Sequence, residues 1–367
     1  MTNDPELRVG PPVGTVERPR RGRRRWIALL ATAAILVVAA ATAIAYRVNS
    51  RDGRPAAGLP NPTSVTPYPI TTVTVGTFPT DVAIDPAAHT AYVVNNADHA
   101  VSVIDTAERT VAATINVGKG PWRVAVDPAA HTAYTTNQVD GTVSVIDTTT
   151  NTVAATITVG DDPRGVAVDP DAHSVYVANL MDGTVSVIDA STRTLTGTIK
   201  VGVQPMEVAV DPAIHTVYVQ NGVDRTVSVI DTTTNTVTAT IKFGAILAGL
   251  TVDPATHAVY VAEPWENLVS IVDPATCTVS GTITVARPGH LAIDADTHTG
   301  YAARPGDAPF RAIDTVSVID TAFRRVTATV TVGVTARAGA VDPTTHAVYV
   351  TNMGDGTVSV IEPNNTL

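Results

Sequence analysis

The feature that most constrains this chain is a phrase, Asp-Pro-x-x-His, that recurs at nearly constant spacing. A Tyr stands three residues after each His, and Val-Ser-Val-Ile-Asp or a near variant follows. Successive copies begin 42, 42, 42, 42, 41 and 48 residues apart. Repetition at such a period is typical of architectures in which each copy forms one supersecondary unit. With small variations, the seven copies begin at Asp85, Asp127, Asp169, Asp211, Asp253, Asp294 and Asp342.

Each unit is predicted to contain four strands, named a to d in chain order. In the second unit they cover Arg123–Asp127, Thr132–Thr136, Thr142–Asp147 and Thr152–Val159. Val and Ile alternate there with Thr, Ser and Ala, which is the pattern of strands with one buried side. Asp-Pro, Asp-Gly, Thr-Thr-Asn and Val-Gly separate the strands and favour turns. Four short antiparallel strands per unit predict an all-β, seven-bladed β-propeller.

The two ends of the repeat predict how the ring closes. The last unit stops after strand c, at Val358–Glu362, and residues 364–367 are too short a tail to add a strand. A spare copy of strand d, Thr71–Gly76, precedes the first unit. We therefore predict a propeller over residues 70–363 in which this N-terminal strand completes the last blade and leaves no open sheet edge.

The segment before the repeat predicts targeting to a membrane. Residues 1–25 carry seven Arg and three acidic residues, and the uncharged apolar run 26–46 is long enough to span a bilayer. Basic residues before such a run predict a cytoplasmic tail and an extracytoplasmic body. Residues 47–69 are rich in Pro and predict an extended linker. A single-pass signal anchor is favoured; the alternative is a signal peptide cleaved after Ala45, which would give a secreted protein.

The strand b and c sequences resemble a known repeat family. The segment Val348–Ile361, VYVTNMGDGTVSVI, is similar to the repeat of the YVTN-type, or YncE-like, seven-bladed β-propellers. The resemblance covers residues 70–363 and implies the propeller fold and an extracytoplasmic location, as in bacterial periplasmic YncE-like proteins and archaeal surface-layer proteins. It implies no particular activity, because the motif encodes the scaffold.

Residues that occur in every unit are predicted to be structural. An Asp followed by Pro can accept backbone N–H groups in the a–b turn, so the repeated Asp and His favour a scaffold role over a metal site. The net charge of −10 then reflects repeated acidic residues and does not predict a duplex-DNA binder. A single cysteine, Cys277, excludes an intrachain disulfide and a multi-cysteine metal centre. No cofactor and no catalytic residue is predicted.

Function is instead expected where the repeat is broken. In a propeller the d–a and b–c loops share one face, which we call the front face, and the a–b and c–d turns share the back face. The irregular aromatic and charged residues fall in the front-face loops, whose enrichment in such residues is typical of binding surfaces. The candidate ligand-binding residues are Phe78, Trp122, Arg123, Arg164, Glu207, Glu263, Trp265, Glu266, His290, Arg304, Phe310, Arg311 and Arg337.

The fifth and sixth blades depart furthest from the pattern. The Asn that ends strand b in the other five blades is replaced by Glu263 and Arg304, which are placed to pair across adjacent blades. The sixth blade also has a longer b–c stretch, Arg304–Arg311, with an aromatic residue between cations. We expect the ligand surface to lie over these two blades and to extend to Trp122. The alternative is neutral variation, since loops accept insertions easily.

A non-enzymatic binding module is the leading functional hypothesis. Its expected partners are an envelope protein, a glycan or a small ligand, with the membrane contacted through the N-terminal helix, and we expect a monomer. One alternative is a metal-assisted enzyme resembling propeller lactonases and lyases, with Glu207, His290 and Glu266 as candidate ligands. Single-stranded DNA binding through exposed aromatic residues is another alternative, although balanced charge gives no continuous basic groove. A structural envelope protein is the third.

Overall fold

The computed structural model describes residues 68–304 and 313–363, with only the backbone described at Ile313. Strands in this part of the chain form seven four-stranded antiparallel sheets, the blades of a β-propeller. None of its helices is long and apolar enough to cross a membrane. The predicted tail 1–25, the predicted span 26–46 and most of the linker lie outside the described residues, as do Phe310, Arg311 and residues 364–367.

The blades follow one another along the chain, with strand a innermost and strand d outermost. Blade 1 contains β2 (Pro79–Asp85), β3 (Thr90–Asn95), β4 (Ala100–Asp105) and β5 (Thr110–Asn116). Blade 2 contains β6 (Pro121–Asp127), β7 (Thr132–Asn137), β8 (Thr142–Asp147) and β9 (Thr152–Thr158). Blade 3 contains β10 (Pro163–Asp169), β11 (Ser174–Asn179), β12 (Thr184–Asp189) and β13 (Thr194–Lys200). Blade 4 contains β14 (Pro205–Asp211), β15 (Thr216–Asn221), β16 (Thr226–Asp231) and β17 (Thr236–Lys242), with a short 3-10 helix at Pro212–Ile214.

The last three blades are less regular at the start of their inner strands. Blade 5 contains β18 (Gly249–Val252), β19 (Val259–Glu263), β20 (Leu268–Asp273) and β21 (Thr278–Thr284). Blade 6 contains β22 (Leu291–Asp294), β23 (Thr299–Arg304), β24 (Ile313–Asp320) and β25 (Arg325–Val334). Blade 7 contains β26 (Ala336–Val341), β27 (Val348–Asn352), β28 (Thr357–Ile361) and, from the other end of the described chain, β1 (Ile70–Thr74).

Neighbouring blades contact one another around the whole ring. Each innermost strand packs against the innermost strands of two other blades, and β26 of blade 7 packs against β2 of blade 1. The outermost strand β1 pairs with β28 in antiparallel register from Ile70 opposite Ile361 to Thr74 opposite Thr357. The strand order of blade 7 therefore runs from one end of the described residues to the other.

The apolar core lies between the blades rather than within any one of them. One buried cluster joins Tyr92, Val101 and Ile115 of blade 1 to Val124 and Ile146 of blade 2. Similar clusters fill the other spaces between blades, which is why Val and Ile recur at alternate positions. The repeated Tyr is buried in each blade because its ring belongs to these clusters.

The repeated Asp and His hold the back-face turns, which confirms their predicted structural role. In blade 2 the Asp127 carboxylate accepts a hydrogen bond from the Ala130 backbone N–H at 3.1 Å. His131 has a left-handed φ of 50°, and its carbonyl accepts a hydrogen bond from the Thr148 N–H at 3.0 Å. That bond ties the a–b turn to the end of strand c in the same blade. Because these backbone hydrogen bonds hold the turn, the His side chain can make different contacts in different blades.

The front-face loops are joined by a second repeated network. In blade 2 the Asn137 amide donates to Ser144 Oγ at 2.9 Å, inside the sheet. The b–c loop then reaches the preceding d–a loop: the Gln138 N–H donates to the Gly120 carbonyl at 3.0 Å, and Asp140 accepts from the Lys119 N–H at 2.8 Å. The two kinds of loop therefore lie side by side on one face, as the sequence predicted.

Close packing of the inner strands requires a residue without a side chain at Gly165. A Cβ atom built there would lie 2.6 Å from the Met206 carbonyl oxygen and 2.9 Å from the Val208 nitrogen, both backbone atoms of the next blade. Real Cβ atoms do not approach backbone this closely, so β10 and β14 can approach only because residue 165 is Gly.

We expect Gly165→Ala to lower the free energy of unfolding by about 1–3 kcal/mol, because the added methyl group overpacks two inner strands. Gly197→Ala is the matched control. Its Cβ would lie 4.0 Å from its nearest neighbour, and the equivalent pairing position holds Ala155 in blade 2. Urea denaturation of both variants measures the difference. Equal stability of the two variants would contradict this packing account.

Candidate functional site at the channel mouth

A bulge at the start of the inner strands places the functional side chains. In blade 2, Pro121 pairs with Asn137 and Val124 with Thr135, so two residues, Trp122 and Arg123, lie opposite one. Blades 1, 3, 4 and 7 have a register shift at the same position. A bulge turns consecutive side chains away from their regular alternation. It therefore brings residues from several blades to the front-face mouth of the central channel.

Side-chain hydrogen bonds between blades hold these bulges in place. Thr136 Oγ1 of blade 2 accepts from the Arg123 N–H at 3.1 Å and donates to the Arg164 carbonyl of blade 3 at 2.8 Å. Thr80 of blade 1 donates in the same way to the Trp122 carbonyl at 2.9 Å. Backbone groups at a bulge lose the regular hydrogen bonds between strands. The Thr side chains give them other hydrogen-bond partners, which buried polar groups require.

Arg123 is a buried cation between two carboxylates from other blades. Its Nη1 lies 2.9 Å from Asp81 Oδ1 of blade 1, and its Nη2 forms an ion pair with Glu207 of blade 4. Only 7% of the Arg123 side chain is exposed. Burial by itself lowers the pKa of Arg123, but the Glu207 and Asp81 carboxylates outweigh it and raise that pKa. The guanidinium is therefore permanently charged, and both of its terminal nitrogens are paired with carboxylates.

The Arg123 side chain of blade 2 extends past blade 3 to contact Glu207 of blade 4. The equivalent bulge position in blade 3 is Gly165, which offers no side chain to obstruct it. From blade 2 to blade 4 the residue at this position is therefore charged, then small, then charged. That alternation is what lets a side chain of blade 2 contact one of blade 4.

His290 of blade 6 approaches the same carboxylate from the opposite side of the channel. Its Nε2 lies 4.0 Å from Glu207 Oε2, which is longer than a hydrogen bond, and its Nδ1 lies 3.4 Å from the Gly339 nitrogen. Burial, then Arg123 and Arg337, lower the pKa of His290 well below its usual value. His290 is therefore neutral, with Nδ1 accepting from Gly339 and its proton on Nε2, directed towards Glu207.

Glu207 lies where burial and charge act in opposite directions. Burial raises its pKa, Arg123 lowers it, and the nearby Asp81 carboxylate raises it again, with a net upward shift. Only 13% of its side chain is exposed. Glu207 thus joins three blades: it is paired with Arg123 of blade 2, faces His290 of blade 6 and belongs to blade 4.

Trp122 forms the aromatic part of the mouth, with two guanidinium groups against it. The Cζ atoms of Arg164 and Arg337 each lie 4.3 Å from the centroid of the Trp122 ring. Contacts of this length between a guanidinium and an indole are favourable cation–π contacts. Arg164 also forms an ion pair with Asp162 of its own loop, with 2.7 Å between Arg164 Nε and Asp162 Oδ1.

Arg337 differs from the other two arginines of the cluster. No ion pair joins it to a carboxylate among the described residues. Its Nε is buried without a hydrogen-bond partner, as is the Nε of Arg123. Burial, then Arg123 and Arg164, lower the pKa of Arg337, whereas Glu207 and Asp81 raise it, and the net result is a pKa of about 10. The guanidinium at this position therefore has carboxylates nearby but none in direct contact.

Six of the predicted residues therefore come together, and the other predicted residues that the structure describes lie elsewhere. Glu263 is buried in blade 5, where its carboxylate accepts a hydrogen bond from Ser270, whereas in other blades the Asn donates to the equivalent Ser. It makes that bond in place of the expected pairing with Arg304. Trp265 and Glu266 are exposed in the b–c loop of blade 5. Phe78 has a left-handed φ of 62° in the d–a loop before blade 1, and Arg304 ends β23. The gathered residues are Trp122, Arg123, Arg164, Glu207, His290 and Arg337.

Asp81 is the functional residue that sequence reasoning missed. It resembles an ordinary loop acid, yet it occupies the same bulge position as Arg123 and Glu207, two residues after a Pro. Alignment of the repeated units that carry this Pro is the signal that identifies Asp81. Asp81 is buried, and its second carboxylate oxygen accepts from the Val124 N–H at 2.9 Å.

The cluster does not have the composition of a metal centre. Within residues 68–304 and 313–363, no group of three or more His, Cys, Asp and Glu side chains is arranged to hold an ion. Asp81 and Glu207 already have Arg123 between them, which a bound cation would have to displace. The arrangement is suited to holding charge in place and to presenting the aromatic and cationic groups at the mouth.

Comparison with known sequences finds a similar family. The sequence model of the YNCE-like beta-propeller matches residues 123–216 and 166–250. With the seven four-stranded sheets, this confirms the resemblance predicted from the repeat: the matched part of the chain is similar to the YNCE-like beta-propeller. No functionally curated protein matches the chain.

Comparison with solved structures agrees on the fold. A chain of Kuenenia stuttgartiensis Hydrazine Synthase superposes with a TM-score of 0.70 at 20% sequence identity. The match covers 83% of this chain and 99% of that chain. At this identity the likeness concerns the propeller fold alone.

The pKa of His290 predicts how stability depends on pH. In the unfolded chain His290 has a pKa of about 6.5 and binds more protons than it does in the folded protein. The free energy of unfolding therefore falls as the pH decreases through that value. We expect wild type to lose on the order of 1 kcal/mol more than His290→Asn between pH 7.5 and 5.5 in urea denaturation. His89→Asn, which changes an exposed His, should behave like wild type. The same pH dependence in all three proteins would refute the assignment of a neutral, buried His290.

Proposed function

We propose that this YNCE-like propeller is a membrane-anchored, extracytoplasmic and non-enzymatic binding module, which docks a protein partner on its front face. The observation that carries the proposal is the placement of exposed apolar side chains on that face. Six large apolar residues are exposed there, in consecutive loops from blade 2 to blade 5. We call this set the apolar arc: Val139, Met181, Val203, Val223, Ile246 and Trp265.

The two faces of the propeller differ sharply in this respect. The most exposed member of the apolar arc is Val139, at 65%. On the back face of the described residues, Phe323 is the one large apolar side chain exposed to a comparable degree, at 76%. The remaining exposed apolar residues lie on the outermost strands. Clustered exposed apolar residues are typical of protein interaction sites, whereas scattered ones are ordinary.

The anchoring part of the proposal rests on the sequence. The basic tail 1–25 and the apolar run 26–46 support a signal anchor, with cleavage after Ala45 as the alternative. The linker 47–69 would hold the ring away from the membrane. We further propose that pairing of β1 with β28 closes the ring, since it supplies the strand that blade 7 otherwise lacks.

The channel-mouth cluster favours binding over the metal-assisted alternative. Two of its candidate ligands, Glu207 and His290, do approach each other, but the third, Glu266, is exposed in a loop of blade 5. Glu207 is already paired with Arg123. A group that is engaged in this way is better suited to fixing the shape of the mouth than to serving as a metal ligand.

Site-specific photo-crosslinking in intact cells tests the docking face. The full chain is expressed with a photo-reactive phenylalanine at Val139, Val223 or Trp265, and at Phe323 as the matched exposed position on the back face. We expect one discrete adduct from the three front positions and at least severalfold less from position 323, because only the front face contacts the partner. Equal labelling from both faces, or no adduct from the front positions, would overturn the proposal.

A further inference from the structure

We infer that Trp122, Arg164 and Arg337 form a binding site for a carboxylate, which the docked partner supplies from an acidic side chain or its C-terminus. The identity of the partner rests on the function proposed above, whereas the carboxylate site follows from the channel mouth itself. Recognition of a carboxylate at this site would give the front face a chemical basis for selecting its partner.

The charge inventory of the mouth leaves one cation without a direct counterion. Arg123 is held by Asp81 and Glu207, and Arg164 is held by Asp162. Arg337 has no such carboxylate among the described residues, and it is largely desolvated. A guanidinium presents paired N–H donors that match the two oxygens of a carboxylate. Glu207 and Asp81 lie near enough to raise the pKa of Arg337, but neither forms an ion pair with it among the described residues. A carboxylate in direct contact is therefore what this guanidinium lacks.

Trp122 fixes where that group can bind. Its ring contacts both Arg164 and Arg337, so the two guanidiniums are held near each other despite their like charge. The partial negative charge of the aromatic face offsets some of their repulsion. A carboxylate in contact with Arg337 would offset the rest.

The neighbouring charged side chains are already engaged with one another. Arg123 is paired with Glu207, His290 faces the same carboxylate, and Glu207 and His290 are more than four-fifths buried. We therefore expect a ligand to reach Arg337 from the front face. A shallow site of this kind suits a terminal charged group carried on a larger partner better than a wholly enclosed small molecule.

The surroundings of the mouth favour a protein carboxylate over a nucleic-acid backbone. Each of five b–c loops carries an Asp whose carboxylate accepts a d–a loop N–H, and these acids lie on the front face of blades 1 to 4 and 7. A polyanion would meet them as well as the arginines, and nucleic-acid binding relies on a continuous basic track. The apolar arc on the same face has the chemistry of a protein interface instead. The five acids are Asp98, Asp140, Asp182, Asp224 and Asp355.

Fluorescence of Trp122 provides a direct measurement. The chain contains three Trp, so Trp26→Phe and Trp265→Phe together leave Trp122 as the single reporter. The purified full chain in detergent micelles is titrated with N-acetyl-trialanine and with its C-terminal amide at constant ionic strength. N-acetyl-Ala-Glu-Ala amide tests a side-chain carboxylate. Inorganic phosphate and an oligothymidylate are the competing anions.

We expect a saturable change in Trp122 emission with both carboxylate peptides and none with the trialanine amide. In the same background Arg337→Gln should weaken peptide binding at least tenfold, because it removes the cation. Arg337→Lys should retain part of the affinity, since it keeps charge but loses the paired donors. Arg325→Gln, an exposed back-face change, is the control and should bind as the parent does.

Three results would overturn the inference. They are an equal response to the acid and the amide, unchanged binding by Arg337→Gln in a variant that melts like its parent, and a response confined to phosphate or the oligothymidylate. The probes are small and do not need the apolar arc, so this test and the crosslinking test fail independently. Carboxylate binding without front-face adducts would retain the site and reject the docked protein.

Discussion

The arrangement of the channel depends on one buried cation, Arg123, held between carboxylates of two other blades. The apolar contacts between adjacent blades repeat around the ring, so they do not distinguish one blade from another. The pair of bonds from Arg123 to Asp81 and Glu207 does, because it joins blades 1, 2 and 4. Removal of one member of such a group leaves a buried charge unpaired, which is costly. The network therefore fixes the positions of the side chains around it.

The functional consequence is a separation of roles within the cluster. Arg123 is paired with Asp81 and Glu207, and His290 is neutral, so these side chains hold one another in place. At the mouth, Trp122 holds two guanidiniums, of which Arg337 lacks a carboxylate. Binding strength at a rigid scaffold depends on such preorganised groups more than on area. The front face thus combines a fixed cationic centre with apolar residues around part of its rim.

The content of the repeat determines how much of this structure the sequence predicts. Seven copies of one phrase specify blade number, strand order and back-face turns, since each residue appears in equivalent surroundings seven times. Glu263 shows the limit of looking for departures from the repeat: it differs from Asn in type but makes the same contact with Ser270. Asp81 shows the converse, because its role depends on a bulge and on the lengths of partners in other blades. Convergence of Arg123, Glu207 and His290 is a property of the arrangement of the blades, which spacing along the chain does not reveal.

The most direct test of this account is a double-mutant cycle between Arg123 and Glu207. Urea denaturation of wild type, Arg123→Met, Glu207→Gln and the double variant gives the coupling free energy of the pair. We predict that each single change costs about 3 kcal/mol and that the double change costs less than their sum by at least about 1 kcal/mol. Strictly additive costs would show that the two side chains do not stabilise one another across blade 3, and would contradict the account.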